Sequence, residues 1–443
     1  MRSKPFHLVI IGNGVAGITT ARHVRKRSNA RITVISGESD YHFSRPALMY
    51  IYMGHMTFNH TKPYEDWFWH KNRIDLIRGW VTKIDTEHKR VYLEDGRMIH
   101  YDKLVIATGS KPNKFGWPGE NLPGVQGFYS LQDLENLEKL TPRIRHAVIV
   151  GGGLIGIELA EMLLSRKIPV TFLVRETYFY DIILPREEAK LISRHIIEHG
   201  IDLRLRTELK EILPGDDGYV RAVVTDRGEE IPCQFVGLTV GVHPNIDLVK
   251  NTEIETNRGI LVNEYLETNV PDVYACGDCA EIKAGVPGER NKIEQLWYTG
   301  RLQGEALARI ICGERVPYDR GIWFNSAKFL DLEYQTYGYV APSIPSNGPE
   351  PEKGEFSFYW EHPDRKHALR IAYRLPGREV IGFNAIGIRL RHRVCEQWIR
   401  EGRTIEEVID RLDEANFDPE FYDRFEKKVR MAFLEQSREN VFS

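Results

Sequence analysis

The chain has 443 residues, of which 42% are hydrophobic and 28% charged, and a formal net charge of -3. This length predicts about three domains, while the small charge excludes a basic surface for nucleic acid or anionic lipid. No apolar run approaches the ~20 residues that cross a bilayer, and five cysteines, an odd and low number, indicate a reducing, cytoplasmic location without a disulfide framework.

A glycine-rich turn joins the first predicted strand to the first predicted helix. Residues 8–11 form a continuous apolar run, as in a strand buried on both faces of a parallel sheet. Gly12, Gly14 and Gly17 then fit G-x-G-x-x-G, and a helical apolar pattern begins at Val15. This spacing allows a tight turn, close approach of a pyrophosphate and close helix packing. We therefore expect a dinucleotide whose phosphates lie at the helix N-terminus.

The second predicted strand, residues 31–35, leads into residues that suit the same cofactor. Glu38 lies where an acidic side chain accepts hydrogen bonds from a ribose; the alternative is a solvated loop carboxylate. Arg45 offers a guanidinium for phosphate or ribose, and Pro46 a rigid wall; the alternative is a surface arginine before a helix. Residues 41–54 contain no cysteine.

Residues 64–123 are predicted to contain an aromatic cluster, several strands and a linker. The aromatic residues within 64–69 indicate core or interface packing. Residues 80–85, 90–93 and 98–101 are predicted strands, with a hairpin turn at Asp95-Gly96. A further buried strand, residues 104–109, ends at Thr108-Gly109 before a linker at residues 110–123.

The second glycine fingerprint repeats the first. Gly151, Gly153 and Gly156 have the same spacing between a strand and a helix, and the strand at residues 170–174 follows. Arg175 stands next to the place where an NAD site carries an acidic residue, so it suits a 2′-phosphate and favours NADPH. The alternative is that Arg175 points to water and Glu176 binds NAD. Two hairpin strands, residues 220–225 and 231–240, are expected to follow.

The third buried segment, residues 269–280, ends at Gly277-Asp278. An aspartate at a strand's carboxyl end is placed to bind a cofactor hydroxyl in an open α/β sheet. A helix is expected over residues 293–312, with Glu294 and Gln303 in it.

From Gly321 onwards the pattern changes to antiparallel strands followed by helices. Alternating runs at residues 327–334, 356–360, 369–375 and 380–386 predict strands that cover one face. Thr404 and Glu407 form a capping box for one helix. The last helix is expected to place Phe421, Phe425, Val429 and Phe433 on one face, and its balanced charge favours packing within the protein or against a partner over membrane docking.

These pieces, in this order, resemble the flavoprotein reductases with two dinucleotide-binding domains. The resemblance rests on both fingerprints, on the LVIATGSKPN and GVHPN segments, and on NVPDVYACGDCA. It implies an α/β fold with two Rossmann-like dinucleotide-binding domains, the FAD-binding domain being split by an inserted NAD(P)H-binding domain, and a C-terminal α+β interface domain. The expected boundaries are 1–115 and 245–320 for FAD, 116–244 for NAD(P)H, and 321–443 for the interface domain.

Within that group, HFSRPALMY is similar to the rubredoxin and ferredoxin reductases, the apoptosis-inducing-factor group and the nitrite reductase flavin domain. The resemblance implies that the first fingerprint binds FAD, that the second binds NADPH or NADH, and that Asp278 contacts the ribityl chain. It also implies a place near the nicotinamide for Glu158, while Glu294 is a candidate for the far side of the flavin; the alternative for both is a structural carboxylate. The cofactor-binding candidates are Gly12, Gly14, Gly17, Glu38, Arg45, Pro46, Thr108, Gly109, Gly151, Gly153, Gly156, Arg175, Gly277 and Asp278.

The cysteines limit the reaction that this resemblance implies. Disulfide reductases of the superfamily need a reactive cysteine within the segment matching residues 41–54, which has none. Cys276 and Cys279 straddle a cofactor strand and are predicted to be packing residues, and no His or Cys cluster has metal-ligand spacing.

The leading hypothesis is electron transfer from NAD(P)H through FAD to an iron–sulfur carrier such as rubredoxin or ferredoxin. The alternatives are reduction of oxygen, a quinone or another small acceptor, and a redox-sensing binding protein. The oligomeric state is left open, with a homodimer and a subunit of a larger complex as alternatives.

Overall fold

The computed structural model describes residues 6–285, 289–346, 349–417, 420 and 423–442. The chain divides into two compact units. The first unit comprises residues 1–115, 126–143 and 240–320; the second comprises residues 116–125, 144–239 and 321–443. The predicted interface domain and most of the predicted NAD(P)H domain thus belong to one unit, while residues 126–143 belong to the other.

From residue 6 to residue 143 the helices and strands are β1 (His7–Ile11), α1 (Val15–Arg27), β2 (Arg31–Ser36), α2 (Leu48–Tyr52), α3 (Asp66–Lys71), β3 (Ile74–Arg78), β4 (Val81–Asp85), β5 (Arg90–Leu93), β6 (Met98–His100), β7 (Lys103–Ile106), β8 (Ser110–Pro112), β9 (Val125–Gln126) and α4 (Leu131–Leu140).

From residue 144 to residue 320 they are β10 (Ala147–Val150), α5 (Leu154–Ser165), β11 (Val170–Val174), α6 (Arg186–Glu198), β12 (Asp202–Leu205), β13 (Leu209–Pro214), β14 (Val220–Thr225), β15 (Glu230–Pro232), β16 (Phe235–Leu238), β17 (Val242–Pro244), β18 (Ile260–Val262), β19 (Val273–Ala275), β20 (Ala280–Ile282), β21 (Lys292–Ile293) and α7 (Trp297–Ile311).

The remaining elements are β22 (Phe324–Phe329), β23 (Leu332–Gly338), β24 (Gly354–Glu361), β25 (Ala368–Leu375), β26 (Glu379–Ile386), α8 (His392–Glu401), α9 (Ile405–Asp410) and α10 (Glu426–Phe442).

A parallel sheet in the order β19-β7-β1-β2-β3 is the centre of the first unit. Its strands are short apolar runs, and β1 and β7 are almost completely buried because helices such as α1 cover the sheet. In the register, Ile11 pairs with Ile35 and with Ile106, and Ile106 pairs with Ala275. The residues that follow these four strands therefore lie along one edge of the sheet, where open α/β sheets bind their ligands.

A second parallel arrangement, β12-β11-β10-β16, forms the first sheet of the second unit, with β9 beside β16. Val150 pairs with Leu173 and with Leu238, so the second fingerprint also follows a strand at a carboxyl edge. The expected α/β class with two Rossmann-like domains is confirmed.

The C-terminal region of the second unit is an antiparallel sheet, β22-β23-β26-β25-β24, covered on one face by helices. Phe425, Val429 and Phe433 lie in its core, which confirms packing within the protein; Phe421 lies outside the described residues. On β25 the fully buried Arg370 donates both Nε and Nη2 to the Glu188 carboxylate of α6, at 2.6 and 2.7 Å. This buried ion pair connects the two parts of the second unit.

Three predicted elements differ from the structure. Residues 231–240 form two strands, β15 and β16, which belong to different sheets. Residues 327–334 span the turn between β22 and β23 instead of one strand. The helix expected from residue 293 begins at Trp297, so Glu294 precedes it and Ile293 lies in β21. The capping box of Thr404 and Glu407 at the start of α9 is confirmed.

Candidate functional site

The first fingerprint has the backbone geometry that a dinucleotide requires. Gly12 has φ +113°, and a Cβ there would lie 2.1 Å from the carbonyl oxygen of Ala107. A Cβ at Gly17 would lie 2.2 Å from the Gly12 oxygen, so only glycine permits this packing of α1 on β1. At Gly14, the N-cap of α1, no described atom lies within 4 Å of an added Cβ. The open approach to a helix N-terminus fits a pyrophosphate.

The second fingerprint reproduces this geometry in the other unit. Gly151 has φ +110°, and a Cβ at Gly156 would lie 2.8 Å from the Gly151 oxygen. Gly153 is the N-cap of α5, and a Cβ there would meet none of the described atoms within 4 Å. Each fingerprint therefore combines an obstructed packing glycine with an open glycine at the helix start, and both fit a dinucleotide.

Glu38 and Arg45, both predicted to contact the cofactor, are joined to each other. Arg45 donates Nη1 and Nη2 to the two Glu38 oxygens at 2.8 and 2.6 Å, and the Leu131 N–H donates to Oε1 at 3.0 Å. Burial opposes ionisation of Glu38, but the Arg45 guanidinium and the Leu131 N–H outweigh it and lower the pKa of Glu38. The Glu38 carboxylate is therefore anionic and held in place by these donors. A ribose hydroxyl could donate to it only alongside the Arg45 guanidinium. Pro46, in the turn that follows, is exposed.

Asp278 lies at the carboxyl edge of the same sheet, three residues after the end of β19. Its Oδ2 accepts a hydrogen bond from Ser110 Oγ at 3.0 Å, and Gln295 Nε2 donates to that hydroxyl at 2.8 Å. Burial raises the pKa of Asp278. The Gly277 N–H donates to the Gln303 side chain at 2.7 Å. Strand β19 is therefore tied at its end to both the β8 segment and α7.

Tyr129 is a site residue for which the sequence carried no signal. Its main-chain carbonyl accepts a hydrogen bond from Arg45 at 2.6 Å, and the Arg45 guanidinium lies 4.6 Å from the centre of its ring. Its hydroxyl accepts the Ser110 N–H at 3.1 Å and faces Asp278 Oδ2 at 3.5 Å. Tyr129 thereby connects the two cofactor candidates Arg45 and Asp278. Its segment follows the predicted linker and matches none of the motifs, so sequence reasoning missed it.

The segment of Thr108 and Gly109 is joined to the residues after β17. Thr108 Oγ1 donates to the Asn245 carbonyl oxygen at 2.7 Å, and the Asn245 N–H donates to Gly109 at 2.9 Å. Gly109 has φ +70°, which favours glycine. These contacts connect the LVIATGSKPN and GVHPN segments within the first unit. The cofactor contacts of Thr108 and Gly109 stay a prediction.

Both oxygens of the Glu294 carboxylate have protein partners. Oε1 accepts from Arg320 Nη1 at 3.0 Å, whereas Oε2 accepts from Tyr318 at 2.7 Å and from Gln303 at 3.2 Å. The side chain is buried. These contacts fit the alternative that Glu294 is a structural carboxylate. Glu294 also holds Gln303, whose side-chain oxygen accepts the Gly277 N–H. A direct role of Glu294 at the flavin stays a prediction.

Glu158 projects from α5, near Glu161 and Lys328 of β22. Lys328 Nζ donates to Glu161 at 2.6 Å, which leaves Glu158 beside a second carboxylate. Burial, followed by repulsion from Glu161, raises the pKa of Glu158 to about 7. A carboxyl that is half protonated at neutral pH is suited to proton exchange or to hydrogen bonding in either direction.

Arg175, directly after β11, has a side chain that is 71% exposed, and it donates Nε to Glu176 at 2.8 Å. The Glu176 carboxylate is much less exposed. The guanidinium is therefore positioned by Glu176 and open to solvent, so it is accessible to an anionic ligand. Arg175, which would favour NADPH, and Glu176, which would favour NADH, are therefore in direct contact.

Cys276 and Cys279 have no exposed surface and lie in the core cluster of the first unit. Thr20 contacts the Cys276 sulfur at 3.9 Å, and Cys279 Sγ donates to the Ile106 carbonyl oxygen at 3.4 Å. Burial raises the pKa of both thiols. The five cysteines, all within the described residues, are free. Neutral, inaccessible thiols are packing groups, as the sequence predicts.

Among the described residues two groups of potential metal ligands occur, contrary to the expectation from the sequence, and in each group the two histidines lie four or five residues apart. One comprises His195, His199 and Asp331; the other comprises His362, Asp364 and His367. Across the part of the chain that the structure describes, no helix is both long and apolar enough to cross a bilayer.

The sequence matches the family model described as "Pyridine nucleotide-disulphide oxidoreductase" over residues 6–304. The NADH-rubredoxin oxidoreductase of Clostridium acetobutylicum is 30% identical over 347 residues, which cover 77% of this chain and 84% of that protein. A crystal structure titled NADH:rubredoxin oxidoreductase from the same organism gives a TM-score of 0.69 at 26% identity, covering 98% of this chain and all of that one.

The NAD(P)H nitrite reductase of Bacillus subtilis (strain 168) is 29% identical over 336 residues, or 75% of this chain. The match covers 40% of that protein. This chain therefore spans less than half the length of that relative.

Proposed function

The chain belongs to the pyridine nucleotide-disulphide oxidoreductase family, and we propose that it passes hydride from NAD(P)H to FAD and electrons onward to an iron–sulfur carrier such as rubredoxin or ferredoxin. The observation that carries this proposal is the pair of glycine fingerprints, each open at its helix N-terminus, at Gly14 and Gly153. A reductase of this class needs two dinucleotides at once, one retained and one exchanged.

We assign the first fingerprint to FAD and the second to NAD(P)H. When bound, FAD would supply the redox chemistry, which is to accept a hydride and to release electrons. Around it, Arg45 and Glu38 would hold the phosphate and ribose portion, while Asp278, oriented by Ser110, would accept a hydrogen bond from the ribityl chain. The corresponding domain boundaries are 1–115 and 245–320 for FAD, 116–244 for NAD(P)H and 321–443 for the interface domain, with residues 126–143 grouped with the FAD portion.

In the second unit, Arg175 would bind the 2′-phosphate of NADPH, with Glu176 holding the guanidinium in position. Glu158 would lie near the nicotinamide, where its raised pKa allows a hydrogen bond in either protonation state. Both assignments rest on the position of these residues relative to β10, β11 and the start of α5.

The buried cysteines favour direct transfer from the flavin to an external acceptor. Cys276 and Cys279 are inaccessible and have raised pKa values, so neither is suited to relay electrons by thiol exchange. The relative named for rubredoxin, similar over most of both chains, supports an iron–sulfur acceptor. Unpaired cysteines support the cytoplasmic location.

The proposal is tested by reducing the yellow protein with NADPH without oxygen and then adding rubredoxin, ferredoxin, a quinone or air. We expect an iron–sulfur carrier to restore the flavin absorbance much faster than air or quinone. Rapid restoration by air alone would indicate an oxidase, and a reduced complex that no acceptor reoxidises would indicate a sensor; either result would contradict the proposed acceptor. A Cys276→Ser/Cys279→Ser variant is the matched control for thiol relay and should react like the wild type.

A further inference from the structure

Two histidines and an aspartate converge within the second unit. His195 lies on α6 and His199 directly after its last residue, while Asp331 lies in the turn between β22 and β23. Asp331 Oδ1 is 2.7 Å from His195 Nε2 and 3.1 Å from His199 Nε2. The three side chains thus direct one oxygen and two nitrogens towards a common point.

Local structure determines this arrangement. Residues four apart on a helix lie on the same face, and the two imidazole rings are 4.4 Å apart. His199 Nδ1 lies 2.8 Å from the His195 carbonyl oxygen, so it carries the hydrogen and leaves a lone pair on Nε2. Metal-binding histidines are commonly oriented by such a hydrogen bond. On the other side, Leu330 with φ +58° forms a tight two-residue turn that presents Asp331.

The charged groups around the site are of both signs. The Asp331 carboxylate faces both imidazoles, whereas the Lys366 ammonium acts on His195 and opposes a cation. The Asp331 side chain is 66% exposed, so water has access to the group.

The second histidine–aspartate group has a less favourable environment. His362 Nδ1 and His367 Nδ1 both contact Asp364 Oδ2, at 3.0 and 2.7 Å. The Lys428 ammonium lies 2.8 Å from His362 Nε2, so a positive charge is already in direct contact with this group. Of the two groups, the one on α6 is therefore the better ligand set.

We propose that His195, His199 and Asp331 bind one divalent transition-metal ion such as Zn²⁺, with water completing its coordination. Two imidazole nitrogens and a carboxylate favour such an ion over Ca²⁺ or Mg²⁺, which prefer oxygen ligands. Ligand atoms of a tetrahedral zinc site lie about 3.3 Å apart. The Asp331 oxygen is now 2.7 and 3.1 Å from the two histidine nitrogens, so a small rotation of this exposed side chain would lengthen both distances to the required value. The ion would link α6 to the β22–β23 turn.

The test is equilibrium dialysis of the FAD-loaded full-length protein against Zn²⁺ after treatment with EDTA, with the bound metal measured directly. We expect one ion per chain in the wild type and an increased melting temperature on Zn²⁺ addition. His199→Ala and Asp331→Asn should each weaken Zn²⁺ binding at least about tenfold. Mutating a residue that only orients a metal ligand already lowers the metal affinity by about that factor, and changing the ligand itself should cost at least as much. Asp331→His, which exchanges one ligand for another, should retain binding.

His367→Ala is the matched control because it removes a histidine from the other group. It should bind Zn²⁺ like the wild type. The proposal is overturned if the wild type binds no ion, if His199→Ala binds as tightly as the wild type, or if His367→Ala is the variant that loses the ion. None of these measurements depends on reductase activity.

Discussion

The two fingerprint regions share a backbone but differ in the side chains around it. In both, the first glycine has φ near +110° and the third packs against the carbonyl of the first. In the first region, the acidic residue after the second strand is 17% exposed and bound to Arg45. In the second, the strand register places Glu176 at the corresponding position, where it is 18% exposed and bound to Arg175. The two regions therefore differ in the arginine that holds the carboxylate, whose side chain is 31% exposed at Arg45 and 71% exposed at Arg175.

The helices that follow the fingerprints also differ. Two residues after the third glycine, α1 carries the buried Thr19, and Gly304 of α7 packs so closely that an added Cβ would lie 2.9 Å from the Thr19 Cβ. At the same position α5 carries Glu158, whose pKa is raised to about 7. The common turn chemistry thus specifies dinucleotide binding, whereas the flanking residues specify which ligand is bound and how.

The largest expected effect comes from blocking each open glycine separately. Gly14→Ala and Gly153→Ala place a methyl group where it meets no described protein atom, so both variants should fold. Overpacking against a bound pyrophosphate costs about 1–3 kcal/mol, or roughly tenfold to a hundredfold in affinity. Gly14→Ala should lose affinity for FAD, whereas Gly153→Ala should retain FAD and lose affinity for NAD(P)H.

Fluorescence titration with FAD and anaerobic titration with NADPH measure the two affinities, and circular dichroism checks folding. If Gly153→Ala released FAD while Gly14→Ala retained it, the assignment of the two sites would be reversed.

A smaller effect is expected from the residue that most distinguishes the second region. Arg175→Glu replaces a cation near the expected 2′-phosphate with an anion, so the Kd for NADPH should rise about tenfold or more. The Kd for NADH should change much less. Glu176→Gln is the companion variant, because a selective loss of NADH binding in it would favour the alternative that Glu176 binds the ribose. Equal losses for both nucleotides in Arg175→Glu would exclude Arg175 from the site.

The ionisation of Glu158 predicts a pH dependence of stability. Its folded pKa of about 7 exceeds the ordinary 4.5, so the native state binds more protons than the unfolded state between these values. Stability therefore falls as pH rises from about 4.5 to 7. Relative to Glu158→Gln, the wild-type melting temperature should fall by about 1 °C between pH 5 and pH 8, corresponding to about 1 kcal/mol after allowance for screening. A constant difference would contradict the raised pKa.

The smallest effect is expected for the buried cysteine pair beside the first region. Cys276→Ser/Cys279→Ser should retain NAD(P)H-dependent reduction of ferricyanide, because both thiols are inaccessible and held by contacts such as that with Thr20. Stability should decrease modestly, since serine buries a hydroxyl. Complete loss of activity with FAD still bound would show that the thiols take part in electron transfer.

The sequence predicted the elements whose signals are local. Both fingerprints, the strands before them and the capping box at Thr404 are short-range patterns, and the structure has them where expected. The sequence pattern does not reveal the β22–β23 turn, because Leu330 is apolar although it adopts φ +58°, and the alternation continues through it. The sequence pattern over residues 231–240 predicts one strand because apolar residues such as Ile231 and Phe235 stand on both sides of the break between β15 and β16.

Contacts between distant segments could not be predicted in this way. Tyr129 reaches Arg45 and Asp278 only because the sheet and α4 bring three separated segments together. The pattern predicts Glu294 in a helix because Ile293 and Leu296 continue the helical spacing of α7, yet Glu294 precedes that helix and its carboxylate accepts hydrogen bonds from Arg320 and Gln303. Such partners depend on the tertiary structure.

The most direct test of the two-site account is anaerobic rapid mixing of the purified protein with NADPH while the flavin absorbance is followed. The account predicts a yellow protein whose absorbance is bleached in a reaction that saturates with NADPH, and a Gly153→Ala variant that stays yellow but needs far more NADPH. A colourless protein that takes up no FAD, or a yellow one that neither NADPH nor NADH bleaches, would contradict it.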